Sequence, residues 1–136
     1  MKKQFFVSLC AMLMLSFCLF EAKAQEKNVY NMGDIETAPS YPGGTDAFYS
    51  FLAKTIKYPK EAFEAKKQGT VYVSFVIEKD GTLSDIKSTG KAPLGYGMEQ
   101  EALRVVSLSK PWNPGQLNGK PVATQFSLPV KFALTK

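Results

Sequence analysis

Two Ser-x-x-Lys pairs, Ser84 with Lys87 and Ser107 with Lys110, have the spacing in which a lysine can activate a serine nucleophile. Neither sits in an element that would bring the pair together. Residues 83–89 read as a strand, where a separation of three turns two side chains to opposite faces. The second pair falls at the end of a helix and lacks the companion Ser-Asp-Asn and Lys-Thr-Gly motifs. Glu99 and Glu101, two apart on a helix, do not face each other as an acid–base pair would. Gly95-Tyr96-Gly97 is a fragment of a phosphate-loop pattern with only the weak strand 83–89 before it. The chain has no histidine, and its two cysteines, Cys10 and Cys18, lie in the first 20 residues. The remainder therefore has no disulfide, no Ser-His-Asp triad and no thiolate or imidazole metal site. The expectation is a protein that is not an enzyme and holds no metal or cofactor.

Those cysteines belong to a segment with the marks of an export signal. Lys2 and Lys3 precede an apolar run at residues 5–20, and Ala22-Lys23-Ala24 is a small-x-small cleavage signature. Residues 1–24 are expected to be a signal peptide cleaved after Ala24, which marks the protein for export. The 16 residues of the run would span roughly 24 Å as a helix, short of the roughly 30 Å hydrocarbon core, so a retained inner-membrane anchor is the lesser alternative. Lipidation at Cys18 is another, disfavoured by the bulky Phe17 before it. The charged residues of the segment are Lys2, Lys3, Lys23 and Glu21, so the rest carries +3 where the whole chain carries +5. That is too mild a charge to argue for nucleic acid.

The elements follow from periodicity and punctuation. Residues 25–38 read as a short polar lead-in, and 39–136 as one domain. Tyr41-Pro42-Gly43-Gly44 is a turn cluster, after which Thr45 is a plausible N-cap. Phe48, Phe51, Leu52 and Ile56 form one helical stripe. Tyr58-Pro59 stops that helix and starts a second over residues 60–68, closed by Gly69 as a left-handed cap. Val71, Val73, Phe75 and Ile77 alternate with Tyr72, Ser74 and Val76 in a strand over residues 70–78. Asp80-Gly81 has the composition of a two-residue type I′ hairpin turn, and residues 83–89 return antiparallel. Met98, Ala102, Val105 and Val106 mark a third helix, ended by Pro111, Pro114 and Gly115.

The last segment alternates for 13 residues from Val122, with Thr124, Phe126, Leu128, Val130 and Phe132 on one face and Gln125, Ser127, Pro129 and Lys131 on the other. Pro129 lacks a backbone donor, which confines the strand to a sheet edge. The expected fold is α+β: a three-stranded antiparallel sheet in the order 2-1-3, with helices packed on one face. The third strand then presents a free row of N–H and C=O groups, a template for another strand.

Taken together these segments resemble the TonB C-terminal domain in the style found in Bacteroidetes. The matching stretches begin at Tyr41-Pro-Gly-Gly-Thr-Asp-Ala-Phe, Ile56-Lys-Tyr-Pro, Gln68-Gly-Thr-Val-Tyr-Val-Ser-Phe, Glu101-Ala-Leu-Arg-Val-Val, Trp112-Asn-Pro-Gly, Asn118-Gly-Lys-Pro-Val and Phe126-Ser-Leu-Pro-Val-Lys-Phe. The resemblance implies a periplasmic energy-transduction module that captures the TonB box of outer-membrane TonB-dependent transporters by strand addition to its last strand. Carried over by position, the partner-binding residues are Thr124, Gln125, Phe126, Ser127, Leu128, Val130, Lys131 and Phe132. Energised members of the family keep a membrane helix, in well-studied cases with a functional histidine, and a proline-rich linker. This chain has neither the histidine nor such a linker.

The remaining motifs have plainer readings. Turn chemistry accounts for Tyr41-Pro42-Gly43-Gly44 and for Asp80-Gly81. Trp112, between two prolines, reads as a lid on the core. Lys54, Lys57, Lys60, Lys66 and Lys67 are interrupted by Glu61 and Glu64 and read as a solvated face. The alternative to transporter binding is a non-energised scaffold, either a homodimer through the same edge or a protein touching peptidoglycan through the lysines.

Overall fold

A computed structural model describes residues 28–90 and 92–134, so the signal expected over residues 1–24 lies outside the described residues. The elements in order are β1 (Val29–Tyr30), a 3-10 turn (Met32–Asp34), α1 (Thr45–Thr55), α2 (Lys60–Glu64), β2 (Gly69–Ile77), β3 (Leu83–Thr89), α3 (Met98–Ser107), β4 (Gly115–Leu117) and β5 (Lys120–Phe132). No helix among the described residues is long and apolar enough to cross a membrane.

The helices start and stop where their main-chain groups find partners. Gly44, not Thr45, is the cap of α1, and Thr45 is its first helical residue. The helix ends when Ile56 turns extended after donating its N–H to Leu52 at 2.8 Å. The second helix is shorter than expected. It stops at Glu64, where Lys66 enters the left-handed region at φ 53° while its N–H bonds Phe63 at 3.1 Å and that of Lys67 bonds Ala62 at 2.8 Å. This is a Schellman closure, with Lys66 in place of the expected Gly69. Gly69 instead opens β2.

The turn between β2 and β3 is also corrected. The N–H of Glu78 bonds the carbonyl of Thr82 at 2.8 Å, and the N–H of Gly81 bonds that of Glu78 at 2.9 Å. Gly81 is left-handed at φ 88° and Asp80 is not, so the loop has three residues and places its glycine at the bulge position. The type I′ geometry occurs elsewhere. Asn118 and Gly119, at φ 54° and 74°, join β4 to β5 with two residues.

The sheet is mixed and has five strands, which replaces the expected three antiparallel strands in the order 2-1-3. Its order is β1-β5-β2-β3, with β4 attached to β5. Both additions come from segments too short to show periodicity: β1 has two residues and β4 three. The stretch 28–38, expected as a lead-in, thus supplies a strand that runs parallel to β5, pairing Val29 with Ala123 and Tyr30 with Thr124. One sheet face buries Val71, Val73, Phe75, Leu128 and Val130 against Phe48 and Leu52 of α1 and Met98, Ala102, Val105 and Val106 of α3. Trp112 joins this core between Tyr41, Phe48, Phe75 and Phe126, with ring centroids 5.1 to 5.6 Å away.

Candidate functional site: the outer edge of the last strand

Every residue from Thr124 to Phe132 faces a partner on β2, in a register that sets Pro129 opposite Tyr72. The hydroxyl of Thr89 on β3 donates to the carbonyl of Tyr72 at 3.4 Å, so the main chain of Tyr72 is turned toward β3. In an antiparallel ladder the two groups of one residue point the same way, so Tyr72 and Pro129 form a non-hydrogen-bonded pair. The main chain of Pro129 therefore points away from β2, where its missing donor removes nothing from the ladder. By alternation, Gln125, Ser127 and Lys131 turn their N–H and C=O groups to the same outer side.

That side is covered only at its beginning. β1 pairs there with Ala123 and Thr124. Past Thr124 no strand among the described residues pairs with the outer edge of β5. The segment before α1 is tied down beside this edge. Ser40 and Asn113 exchange both main-chain bonds, at 2.7 and 3.0 Å, and Gln116 does so with Thr37, at 2.9 and 3.1 Å.

The edge is walled by α1. A groove of about 460 Å³ is lined by Tyr49, Leu52, Ala53 and Ile56 together with Pro129, Val130 and Lys131, and reaches Thr70 and Tyr72. A smaller pocket of about 160 Å³ lies further along, bounded by Tyr41, Phe48, Trp112, Phe126 and Leu128. Tyr49, 45% exposed, borders both.

The residues expected to bind a partner divide by face. Leu128, Val130 and Phe132 are buried in the core, Phe126 is half-buried, and Thr124 is covered. Gln125, Ser127 and Lys131 lie on the opposite face, and Ser127 and Lys131 are exposed. The amide of Gln125 donates to Ser74 Oγ at 2.5 Å and to the carbonyl of Phe75 at 3.3 Å, which steadies the strand against β2. The remaining motif residues build the frame. The turn at Pro42-Gly43 closes with the Gly44 N–H on Tyr41 at 2.8 Å, the Tyr58 hydroxyl donates to the Lys67 carbonyl, and Pro59 caps α2. A Cβ on Gly115 would lie 2.4 Å from Thr124 Oγ1, so Gly115 lets β4 approach β5. Pro114 sits just before it, partly buried. Tyr41 and Trp112 belong both to the frame and to the smaller pocket.

The Ser-x-x-Lys pairs do not assemble. Ser84 donates to Glu78 at 2.6 Å, Lys87 lies 3.6 Å from Asp85, and Ser107 donates to the Arg104 carbonyl at 2.6 Å. Glu99 instead accepts the N–H groups of Leu94 and Gly95 at 3.1 and 2.8 Å, closing the loop before α3. A hydrogen bond from Arg104 holds the Glu101 carboxyl below the usual carboxylate range, with a second from the Lys57 N–H. The Thr82 hydroxyl does the same for Asp80.

Sequence reasoning placed the edge on β5 but missed its wall. Tyr49 and Ala53 were not assigned a role, although they stand one helical turn apart beside the stripe of Phe48, Leu52 and Ile56 and widen its apolar surface.

An α+β domain with an open edge strand is the class these observations define, and the comparisons make it specific. The family described as the Gram-negative bacterial TonB protein C-terminal matches residues 54–134, and the chain belongs to it. The fold is similar to the solution structure of the Helicobacter pylori TonB C-terminal domain, residues 179–285 of that protein. The two are 24% identical with a TM-score of 0.50, over 65% of this chain and 78% of that one. No curated protein sequence matches the chain.

Proposed function

We propose that this protein is a periplasmic module of TonB-linked outer-membrane transport, which binds the TonB box of a TonB-dependent transporter as an added strand on the outer edge of β5. The observation that carries this reading is the run of outward main-chain groups at Gln125, Ser127, Pro129 and Lys131 that lies unpaired beyond β1. An extended segment laid there meets donors and acceptors at the strand repeat, so the main chain supplies most of the affinity. The side chains of Gln125, Ser127 and Lys131 then meet those of the guest on the outer sheet face and tune its choice. Family membership supports the partner class. Cleavage of the signal expected over residues 1–24 would leave an accessory to, or competitor of, a membrane-anchored energiser.

The test is an NMR titration of the purified protein with box peptides from the transporters of its own host. Amide shifts concentrated over residues 124–132 are the expected result. Unshifted amides on β5 with every peptide would overturn the reading.

A further inference from the structure

Main-chain pairing gives affinity without selecting a sequence, and the wall beside the edge adds selection on the helix side to that of the outer-face side chains. A guest paired with β5 carries its side chains in step with those it faces, so residues opposite Phe126, Leu128 and Val130 must point to the helix side of the sheet. On that side they meet the smaller pocket, bounded by Phe126 and Leu128, and then the larger groove at Val130, with Tyr49 between. The smaller pocket has no charged side chain in its lining, and the larger has only Lys131, on the outer face. Apolar surface is also left open here, as it is at Phe63, Tyr96 and Leu108 elsewhere on the molecule. Among the described residues seven large apolar side chains are exposed, of which Tyr49 and Tyr72 border the groove, while Val29 and Met32 stand at the β1 end of the same edge. Uncovered apolar side chains beside an unpaired strand mark a place where another apolar group docks.

We infer that the guest is an extended peptide recognised by two apolar side chains two residues apart, a smaller one seated against Trp112 and Leu128 and a larger one against Leu52, Ile56 and Val130, with Tyr49 as the divider that fixes their spacing. This rests on the strand-addition reading and deepens it. Two residues of strand advance about 6.6 Å, so helix-side guest residues at i and i+2 stand opposite Leu128 and Val130 in turn. The residue between them points to the outer face over Pro129 and Tyr72, and no apolar character is demanded of it. A charged side chain is disfavoured in the smaller pocket, because it would be desolvated against aliphatic and aromatic groups with no counter-charge there.

The experiment uses three capped heptapeptides and the purified protein. The first carries valine at position 3 and leucine at position 5 with threonine elsewhere, the second reverses the two, and the third is all threonine. The first or the second should bind at least tenfold more tightly than the third, with shifts at the methyl groups of Leu52, Ile56, Leu128 and Val130. Ala53→Glu, on the exposed surface of α1 in the groove wall, should remove that preference while leaving the melting temperature unchanged. Tyr49→Ser should narrow the difference between peptides of i, i+2 and i, i+3 spacing. Equal affinity for all three peptides, with shifts still confined to β5, overturns the two-pocket inference and leaves strand addition standing. Absence of binding by every peptide, including the host box peptides, overturns both.

Discussion

The carboxylate of Glu101 on α3 accepts the main-chain N–H of Lys57 at 3.0 Å, fastening the third helix to the chain two residues past the end of α1. Arg104 completes the clamp, donating from Nε to Glu101 at 2.9 Å and from Nη2 to the Thr55 carbonyl at 3.3 Å. The side chain of Glu101 is 13% exposed, so the bonds form in a partly dry setting. They matter to the site because α1 is the wall of the edge groove.

A first prediction concerns acid. The Glu101 carboxyl is held below its usual value chiefly by the Arg104 hydrogen bond, while in the unfolded chain it titrates normally. Its stabilisation is therefore complete above the unfolded pKa and disappears as the pH falls through the lower folded one. Thermal melts between pH 7 and pH 3 should show the wild-type protein losing stability over that interval, and Glu101→Gln losing less. At pH 7 the variant should be less stable by about 1 kcal/mol, the scale of a charge-assisted bond discounted for its solvent contact. Parallel pH curves for the two proteins would contradict the assignment.

A second prediction uses proline to read the direction of each amide on β5. Ser127 and Lys131 share the outward orientation of Pro129, so Ser127→Pro and Lys131→Pro take no hydrogen bond from the β2 ladder. Both should fold, with amide spectra close to wild type away from the substitution, and both should weaken box-peptide binding at least tenfold. Val130 has the opposite parity and is buried. Val130→Pro removes a ladder bond inside the sheet and should lower the melting temperature sharply. Should Ser127→Pro bind as well as wild type, the outward main chain is not where the guest pairs.

What could be read from the sequence depended on length. The alternation of β2 and β5 and the stripes of α1 and α3 extend over nine to thirteen residues, long enough for period to show, and Pro129 alone announced an edge. β1 and β4 have two and three residues, and their pairing is fixed by bonds such as Gln116 to Thr37, between positions far apart in the chain. No local pattern encodes that. One turn was misassigned for a related reason. Asp80-Gly81 has type I′ composition but adopts a three-residue loop whose Gly81 carbonyl accepts the Trp112 N–H, a contact distant in the chain, while the Asn118-Gly119 pair forms the tight turn. The edge itself was legible, but the groove was not, since it arises only when α1 lies alongside β5.

The meeting of Gly81 with Trp112 makes a third prediction. The N–H of Trp112 donates to the Gly81 carbonyl at 2.8 Å, and a Cβ on Gly81 would fall 2.1 Å from the Trp112 carbonyl oxygen. Gly81 is also left-handed at φ 88°. Gly81→Ala therefore meets two penalties: a strained backbone, about 1–3 kcal/mol, and a collision with main-chain atoms that cannot rotate aside. Gly119→Ala isolates the first, because Gly119 is left-handed at φ 74° and has no atom within 4 Å of the new Cβ. Trp112 is the one tryptophan of the chain and is buried, so its fluorescence reports on this contact directly. Urea unfolding followed by that emission should show Gly119→Ala with a modestly lower midpoint and an unchanged native spectrum. Gly81→Ala should show a much lower midpoint and a native emission shifted to the red, as Trp112 moves from its place among Tyr41, Phe48 and Phe126. Because Trp112 lines the smaller pocket beside β5, the same variant should also weaken the apolar heptapeptides more than the all-threonine one. An unshifted native emission in Gly81→Ala would mean that the loop yields and the tryptophan stays, and the two peptide affinities should then fall together or not at all.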